Sequence, residues 1–401
     1  MKRQLKRVAQ VFTGTTPPTS EQKYYDSEDI DWYSPGDIGT DNIYLTESSK
    51  KISNLYLVEK NTKPFPRETV LMVGIGATVG KVAYSDRACY SNQQINAIVF
   101  NQKLVLPKFG AYQLLNMSKE INQKTPVVTL QIFNQNKVKQ IELDIPTLAE
   151  QRRIVDYLDT KLSEIDRQVS LLTRKRDAYL RLKKSIINHA VTKGLDKNAK
   201  MKDSGIEWIG QVPEQWEVKR GKDTINVLYG FPADSNKFAD GEGIPLIRIR
   251  DIDSNQTETT YTGDYPAMYE IHKGDLLVGM DGDFNVAKWK GNTALLNQRV
   301  CKLTAKRCLF QEFLYYVIVE PLEEINGKKV LTTVKHLSAF DLGQLSVPLP
   351  PLPEQRSIAA YLDDKCSKID TIVANLNKQI SRYGDLKRSL IDEVITGKRA
   401  V

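Results

Sequence analysis

The stretch Gly74-Ile75-Gly76-Ala77-Thr78-Val79-Gly80-Lys81 is where phosphate chemistry would first be sought. A Walker loop keeps four residues between its glycines and follows its lysine with Ser or Thr; here the spacing differs and Val82 follows Lys81. A dinucleotide fingerprint must open a helix, whereas Lys81-Val82-Ala83-Tyr84 reads as strand. The stretch is therefore a glycine-rich turn between strands, with Lys81 able to reach a phosphate oxygen. Other chemistries fail on spacing. Thr16-Pro17-Pro18-Thr19 is not the Asn/Asp-Pro-Pro-aromatic motif of an amino-methyltransferase. Glu217-Val218-Lys219 with Asp203 upstream sketches a nuclease, but acid-x-Lys recurs by chance. Asp251/Asp253 and Asp281/Asp283 sit among turn residues, where Asp makes local hydrogen bonds. The histidines (His189, His272, His336) and cysteines (Cys89, Cys301, Cys308, Cys366) lack metal or disulfide spacing, and no Ser/His/Asp or Cys/His nucleophile can be assembled. No catalytic or metal-binding residue is nominated.

Residues that could read a base are easier to find. Arg248 and Arg250 alternate along Ile247-Arg248-Ile249-Arg250, which as a strand would place both on one side. Arg pairs with guanine and Gln with adenine in the major groove, so Gln93, Gln94, Gln298 and Arg299 join them, with Lys81 on the backbone. Each has a structural alternative: a salt-bridged pair for the arginines, hydrogen bonding within the sheet for the others. From Arg167 to Lys184 seven Lys/Arg face one acid, Asp177; that run is a solvated helix face, a phosphate contact or a docking surface.

The elements that must position these residues come from a duplication. Pro146–Asp166, PTLAEQRRIVDYLDTKLSEID, and Pro350–Asp370, PPLPEQRSIAAYLDDKCSKID, match at 13 of 21 positions with an offset of 204. The likeness continues through Val169/Val373, Leu172/Leu376, Tyr179/Tyr383, Leu182/Leu386 and Lys183/Lys387. Leu362, Cys366, Ile369, Val373, Leu376, Ile380 and Tyr383 step by alternating fours and threes, as do Leu158, Leu162, Ile165, Val169 and Leu172, until Arg176 interrupts. That is the seam of a coiled coil. Thr147 and Glu150 fit a capping box, Pro353 a first helical position, and Gly194 and Gly397 helix stops. Each copy is thus a helix of roughly 40 residues, about 60 Å long. The two seams can pack on each other within the chain, or each on its own domain; matched length and register favour the first.

The segments read as a domain at 1–145, a long helix at 146–194, a linker at 195–212, a second domain at 213–349 and a second helix at 350–398. The domains look like diverged copies: Val70–Gly76 parallels Leu276–Gly282, and Asn92-Gln93-Gln94-Ile95 parallels Asn297-Gln298-Arg299-Val300. A net charge of +8 suits an anionic partner. No apolar run approaches membrane-spanning length and the N-terminus lacks a signal-peptide core, so a cytoplasmic protein is expected.

The duplicated Pro-x-Leu-x-Glu-Gln-Arg-x-Ile-x-x-Tyr-Leu-Asp-x-Lys segment, with Asp203-Ser204-Gly205-Ile206-Glu207-Trp208-Ile209-Gly210-Gln211-Val212-Pro213-Glu214-Gln215-Trp216, resembles the specificity subunits of type I restriction-modification enzymes. The entry segment has no counterpart before the first domain. The resemblance implies an α+β fold: two mixed α/β target recognition domains with twisted β-sheet, separated by two long antiparallel helices forming an intramolecular coiled coil, with an internal pseudo-twofold repeat. It implies a non-catalytic chain that reads a bipartite site on double-stranded DNA. Two modification subunits, carrying S-adenosylmethionine, and two restriction subunits, using ATP and Mg2+, would be its partners, and the chain itself would hold no cofactor. Two other classes compete: a standalone nuclease or methyltransferase, active when purified alone, and a coiled-coil adaptor that never touches DNA.

Overall fold

The duplicated segments fold as helices longer than their seams required, Leu148–Lys193 with 46 residues and Leu352–Ile395 with 44. These are features of a computed structural model that describes residues 1–25, 30–40, 42–123, 132–328 and 335–401. The punctuation works as read from sequence. Thr147 Oγ1 accepts the Glu150 N–H, and Glu150 Oε2 accepts the Thr147 N–H at 3.2 Å, closing the capping box. Gly194 and Gly397 take φ of 73° and 75°, the left-handed stop that a side chain would oppose. Pro353 is the second helical residue, not the first, because Leu352 opens the helix; a missing N–H is tolerated throughout that first turn.

The Glu-Gln-Arg of each repeat has a structural use. Gln151 and Gln355 are fully buried. Gln355 Oε1 accepts the Phe310 N–H at 2.7 Å, while Nε2 donates to Cys308 O at 3.0 Å and Pro350 O at 2.8 Å. Gln151 does the same for Leu106 N–H, Leu104 O and Pro146 O. Each side-chain amide thus clamps the first turn of a long helix to the loop of its own domain. About two helical turns on, Tyr112 donates to Asp159 and Tyr316 to Asp363, both at 2.6 Å.

The chain divides into two compact units. One comprises Met1–Arg174 with Leu376–Val401, the other Lys175–Asn375. In the first, an antiparallel sheet runs in the order Ala9–Thr13, Ile95–Phe100, Thr69–Val73, Val82–Ser85. A smaller sheet pairs Ile30–Tyr33 in parallel with Tyr90–Ser91. In the second, the order is Ile225–Tyr229, Val300–Ala305, Leu276–Gly279, Val286–Lys288. Its smaller sheet pairs Ile244–Ile247 in parallel with Ala294–Leu296. The same topology is built twice. Both copies need a glycine where the first strand leaves its sheet: a Cβ on Gly14 would lie 2.2 Å from Ser91 O, and one on Gly230 2.0 Å from Asn297 O.

Seam residues serve two partners in each unit. Leu158, Leu162 and Ile165 belong to one buried core with Phe109 and Tyr112 of the domain and with Leu390, Ile391 and Val394 from the end of the second long helix. In the other unit, Leu362 and Cys366 share a core with Phe313 and Leu314 and with Ala190 and Val191 from the end of the first. The two packing options read from sequence are therefore not exclusive. Ile369 and Leu376 are buried, while Val169, Leu172, Val373 and Ile380 are half-buried. Repeat-matched ion pairs accompany the cores: Asp166 with the buried Lys387 at 2.7 Å in one unit, Asp370 with Lys183 at 2.6 Å in the other.

The segment read as a linker at 195–212 is structured. Met201–Asp203 pairs antiparallel with Gln211–Pro213, and Ile209 and Val212 enter the core of the second unit. Beyond it Trp216 is fully buried, its Nε1 donating to Glu354 Oε2 at 3.0 Å.

Replacing Gln355 by Ala strands three buried backbone groups. We expect a loss of about 2–4 kcal/mol in the second unit. Trp208, Trp216 and Trp289 all belong to that unit, so urea unfolding followed by their fluorescence should show a lower midpoint at similar slope. An unchanged midpoint would mean the clamp adds nothing.

Candidate nucleic-acid interface

Four of the candidate base readers, Gln93, Gln94, Gln298 and Arg299, sit on a turn that both domains build in the same way. Asn92 Oδ1 accepts the Gln94 N–H at 3.0 Å, and Asn297 Oδ1 accepts the Arg299 N–H at 3.2 Å. An asparagine that caps its own turn two residues on is the usual local alternative to a ladder bond. The turn is then tied to the neighbouring strand: Gly74 N–H donates to Gln94 O at 2.7 Å, and Met280 N–H to Arg299 O at 2.9 Å. Backbone is held while the side chains of residues 93, 94, 298 and 299 stay out of the apolar core.

In the second unit the turn opens on a cavity of about 580 Å³. Arg248, Arg250, Gln298 and Arg299 line it, with Asn285 and Asn297. All four candidates from this domain are thus brought together, although Arg248 and Arg250, which their alternation places on a strand, do not lie on one. The strand ends at Ile247, and Arg248 to Arg250 form a turn into the short helix Asp251–Ser254. The cause is Asp251, whose carboxylate accepts the Arg248 N–H at 2.9 Å and stops the strand. Burial raises the Asp251 carboxyl above its ordinary value, and that same N–H works against the rise.

The three arginines differ in how they are engaged. Arg250 is half-exposed and paired with Glu258 at 3.1 Å and Asp251 at 3.7 Å. Arg299 reaches Asp281 at 3.1 Å. Arg248 is exposed, and among the described residues its guanidinium has neither ion pair nor hydrogen bond. Two of the turn aspartates have side-chain partners: Asp253 accepts from Asn285 at 2.7 Å, and Asp281 holds Arg299 and His336.

The first unit gathers its candidates less fully. Gln93 is exposed and accepts from the Thr16 hydroxyl, while Gln94 Oε1 accepts from Asn92 at 3.0 Å. Lys81 closes the glycine-rich hairpin between Thr69–Val73 and Val82–Ser85, as read from sequence. Its ammonium donates to Ile38 O at 3.0 Å and lines a separate cavity of about 660 Å³ with Thr40, Asn116, Arg388 and Asp392. Sequence reasoning missed Asn285 and the Ser235–Phe238 wall of the second unit's cavity. The signal was the glycine after each first strand, Val11-Phe12-Thr13-Gly14 against Val227-Leu228-Tyr229-Gly230, which aligns the loops that follow.

A model of the type I restriction modification DNA specificity domain matches residues 1–175 and again 213–382. The chain belongs to that family. Among its relatives, the EcoBI specificity subunit of Escherichia coli is 35% identical over 199 residues, which is 49% of this chain and only 42% of that one. The MjaIX specificity subunit of Methanocaldococcus jannaschii is 22% identical across 100% of this chain and 93% of its own. A chain solved in a study of complex assembly and conformational transition of the type I R-M system superposes with a TM-score of 0.69 at 15% identity. That match covers 98% of this chain and 97% of that one. The family match falls twice, once on each repeated domain, in agreement with the doubled topology. No helix among the described residues is long and apolar enough to cross a membrane.

Within this family frame, the unpaired Arg248 is the group best placed to meet a phosphate. Arg248→Ala should weaken duplex binding similarly for all sequences and reduce the slope of log affinity against log salt by about 0.9. Arg250→Ala should change it less, since Glu258 already neutralises that charge. Titrations of the assembled complex at several salt concentrations check this; equal slopes for wild type and Arg248→Ala would discount the contact.

Proposed function

We propose that this chain reads a bipartite site on double-stranded DNA and directs modification and restriction carried out by other subunits. Each domain takes one half-site. The observation that carries this reading is a single topology built twice on matched helices, with unlike side chains on the equivalent turns: Gln93-Gln94 in one domain, Gln298-Arg299 in the other. A frame kept constant around two different reading turns is what two unlike half-sites require.

The chain itself is not an enzyme. Two modification subunits holding S-adenosylmethionine would dock on the long helices and their flanks, and two restriction subunits using ATP and Mg2+ would join them in the cytoplasm. The long helices would pair as an antiparallel coiled coil. What supports pairing is that, within each unit, the start of one helix shares a core and an ion pair with the end of the other.

Mapping methylated adenines in cells with and without the gene tests the reading. Deletion should remove one split motif, and a methylome unchanged by deletion would refute it. The same readout tests the helices as a spacer. Seven residues inserted after Leu172 and seven after Ile380 keep the heptad seam and add about 10 Å, or about three base pairs. Both half-sites should persist with a longer gap between them; an unchanged gap would remove the spacer role.

A further inference from the structure

We infer that Arg299 reads a guanine in the half-site taken by the second domain, and that Asp281, braced by His336, holds it in position to do so. The inference rests on the DNA-reading function proposed above and adds the base and the side chains that select it.

The argument begins with positional equivalence. Gly74 N–H donates to Gln94 O as Met280 N–H does to Arg299 O. Phe133 N–H donates to Gly74 O as Leu337 N–H does to Met280 O, both at 2.7 Å. Beside these bonds lie two isolated bridges, Ile75 with Ile132 and Asp281 with His336. Positions 75, 132 and 94 of the first domain thus correspond to 281, 336 and 299 of the second. The first domain carries Ile, Ile and Gln there; the second carries Asp, His and Arg.

These three differences make physical sense as one unit. The Asp281 side chain is 19% exposed and engaged on both oxygens, one 3.1 Å from Arg299 Nη1 and the other 2.7 Å from His336 Nδ1. A carboxylate engaged on both oxygens is restrained, and it restrains in turn the guanidinium nitrogen it holds. Arg299 is 57% exposed and spends one of its five N–H donors on that bond. The remaining donors form the planar fork that matches guanine O6 and N7. Holding the fork in place beforehand lowers the entropy lost on contact. The other cavity arginines lack this arrangement: Arg250 faces Glu258, and among the described residues no carboxylate grips the Arg248 guanidinium to aim it. In the first domain Ile75 and Ile132 have no charge to aim an arginine, and the residue at the reading position is Gln94.

The bland alternative is an exposed ion pair that contributes little to anything, and the experiment separates the two. Methylated sites are mapped in cells carrying the wild-type gene, a deletion, Arg299→Gln or Asp281→Asn. If deletion removes no split motif, the underlying function fails, and the inference with it. Given a motif, Arg299→Gln should relax one guanine-requiring position in one half-site and leave the other half intact, and Asp281→Asn should relax the same position more weakly. An unchanged motif, or a change in the other half, overturns the inference. Should Arg299→Gln modify nothing, binding by the assembled wild-type and variant complexes decides. Each guanine of that half-site is replaced singly by 7-deazaguanine, which lacks the N7 acceptor. One replacement should weaken wild-type binding by about 10-fold or more, while the variant complex binds both duplexes alike. No sensitive guanine, or equal sensitivity in the variant, overturns the assignment.

Discussion

An apolar stripe on a helix of 46 residues has to be covered along its whole length, and the rest of the structure follows from how that is done. Helical propensity alone would not hold such an element in water; packing of its face does. In each unit the first turns of one helix are buried against the domain that precedes it and against the last turns of the other helix. Each domain core is therefore completed by residues from the end of the long helix that does not follow it directly: Leu390, Ile391 and Val394 finish a core that begins at Leu5, and Ala190 and Val191 finish the core of the second domain. A domain cut from its helices would expose that surface, which ties the readers to their frame energetically as well as covalently.

The identity between the repeats is explained by the same requirement. Gln151 and Gln355 clamp helix starts, Asp159 and Asp363 take tyrosine hydroxyls, and Asp166 and Asp370 take Lys387 and Lys183. These polar residues have the character of a motif, and a motif invites a catalytic reading. Every one is instead used in joining a helix to its domain or to the other helix. Buried amides and ammonium groups tolerate little change because a lost partner leaves the other group desolvated and unpaired. The matched residues thus mark where the duplicated unit could not drift.

How much of this was legible in the sequence depended on whether a residue acts through period and local turn chemistry or through distant partners. The capping box at Thr147 and Glu150, the stops at Gly194 and Gly397, the seam and the glycine-rich hairpin ending at Lys81 are local, and they were readable. The short strand ending at Ile247 was not. Ile-Arg-Ile-Arg has perfect strand alternation, and only the Asp251 carboxylate, capping the Arg248 N–H, breaks it. The hairpin within 195–212 was hidden by its polar composition, since its buried residues, Ile209 and Val212, are spaced too widely to show a period. The grouping of Arg248 and Arg299 in one cavity depends on a parallel pairing of strands far apart in sequence, which no local pattern encodes.

What remains is why divergence collected where it did. On the turn that carries Gln94 or Arg299 the asparagine and the backbone bonds do the holding: Asn92 and Asn297 cap, and the carbonyls of Gln94 and Arg299 accept from the next strand. The side chain at that position is needed by neither core, and in the turn it adds only the Asn92 to Gln94 bond of the first domain, so it can change while the backbone bonds remain. Its neighbours across the bridge are Ile75 and Ile132 in the first domain, and Asp281 and His336, linked to Arg299 through the Asp281 carboxylate, in the second. The exposed arginine has a carboxylate to pair with; the glutamine has none and needs none. The two domains of this chain thus carry two different sets, Ile75, Ile132 and Gln94 against Asp281, His336 and Arg299, on matching backbone bonds.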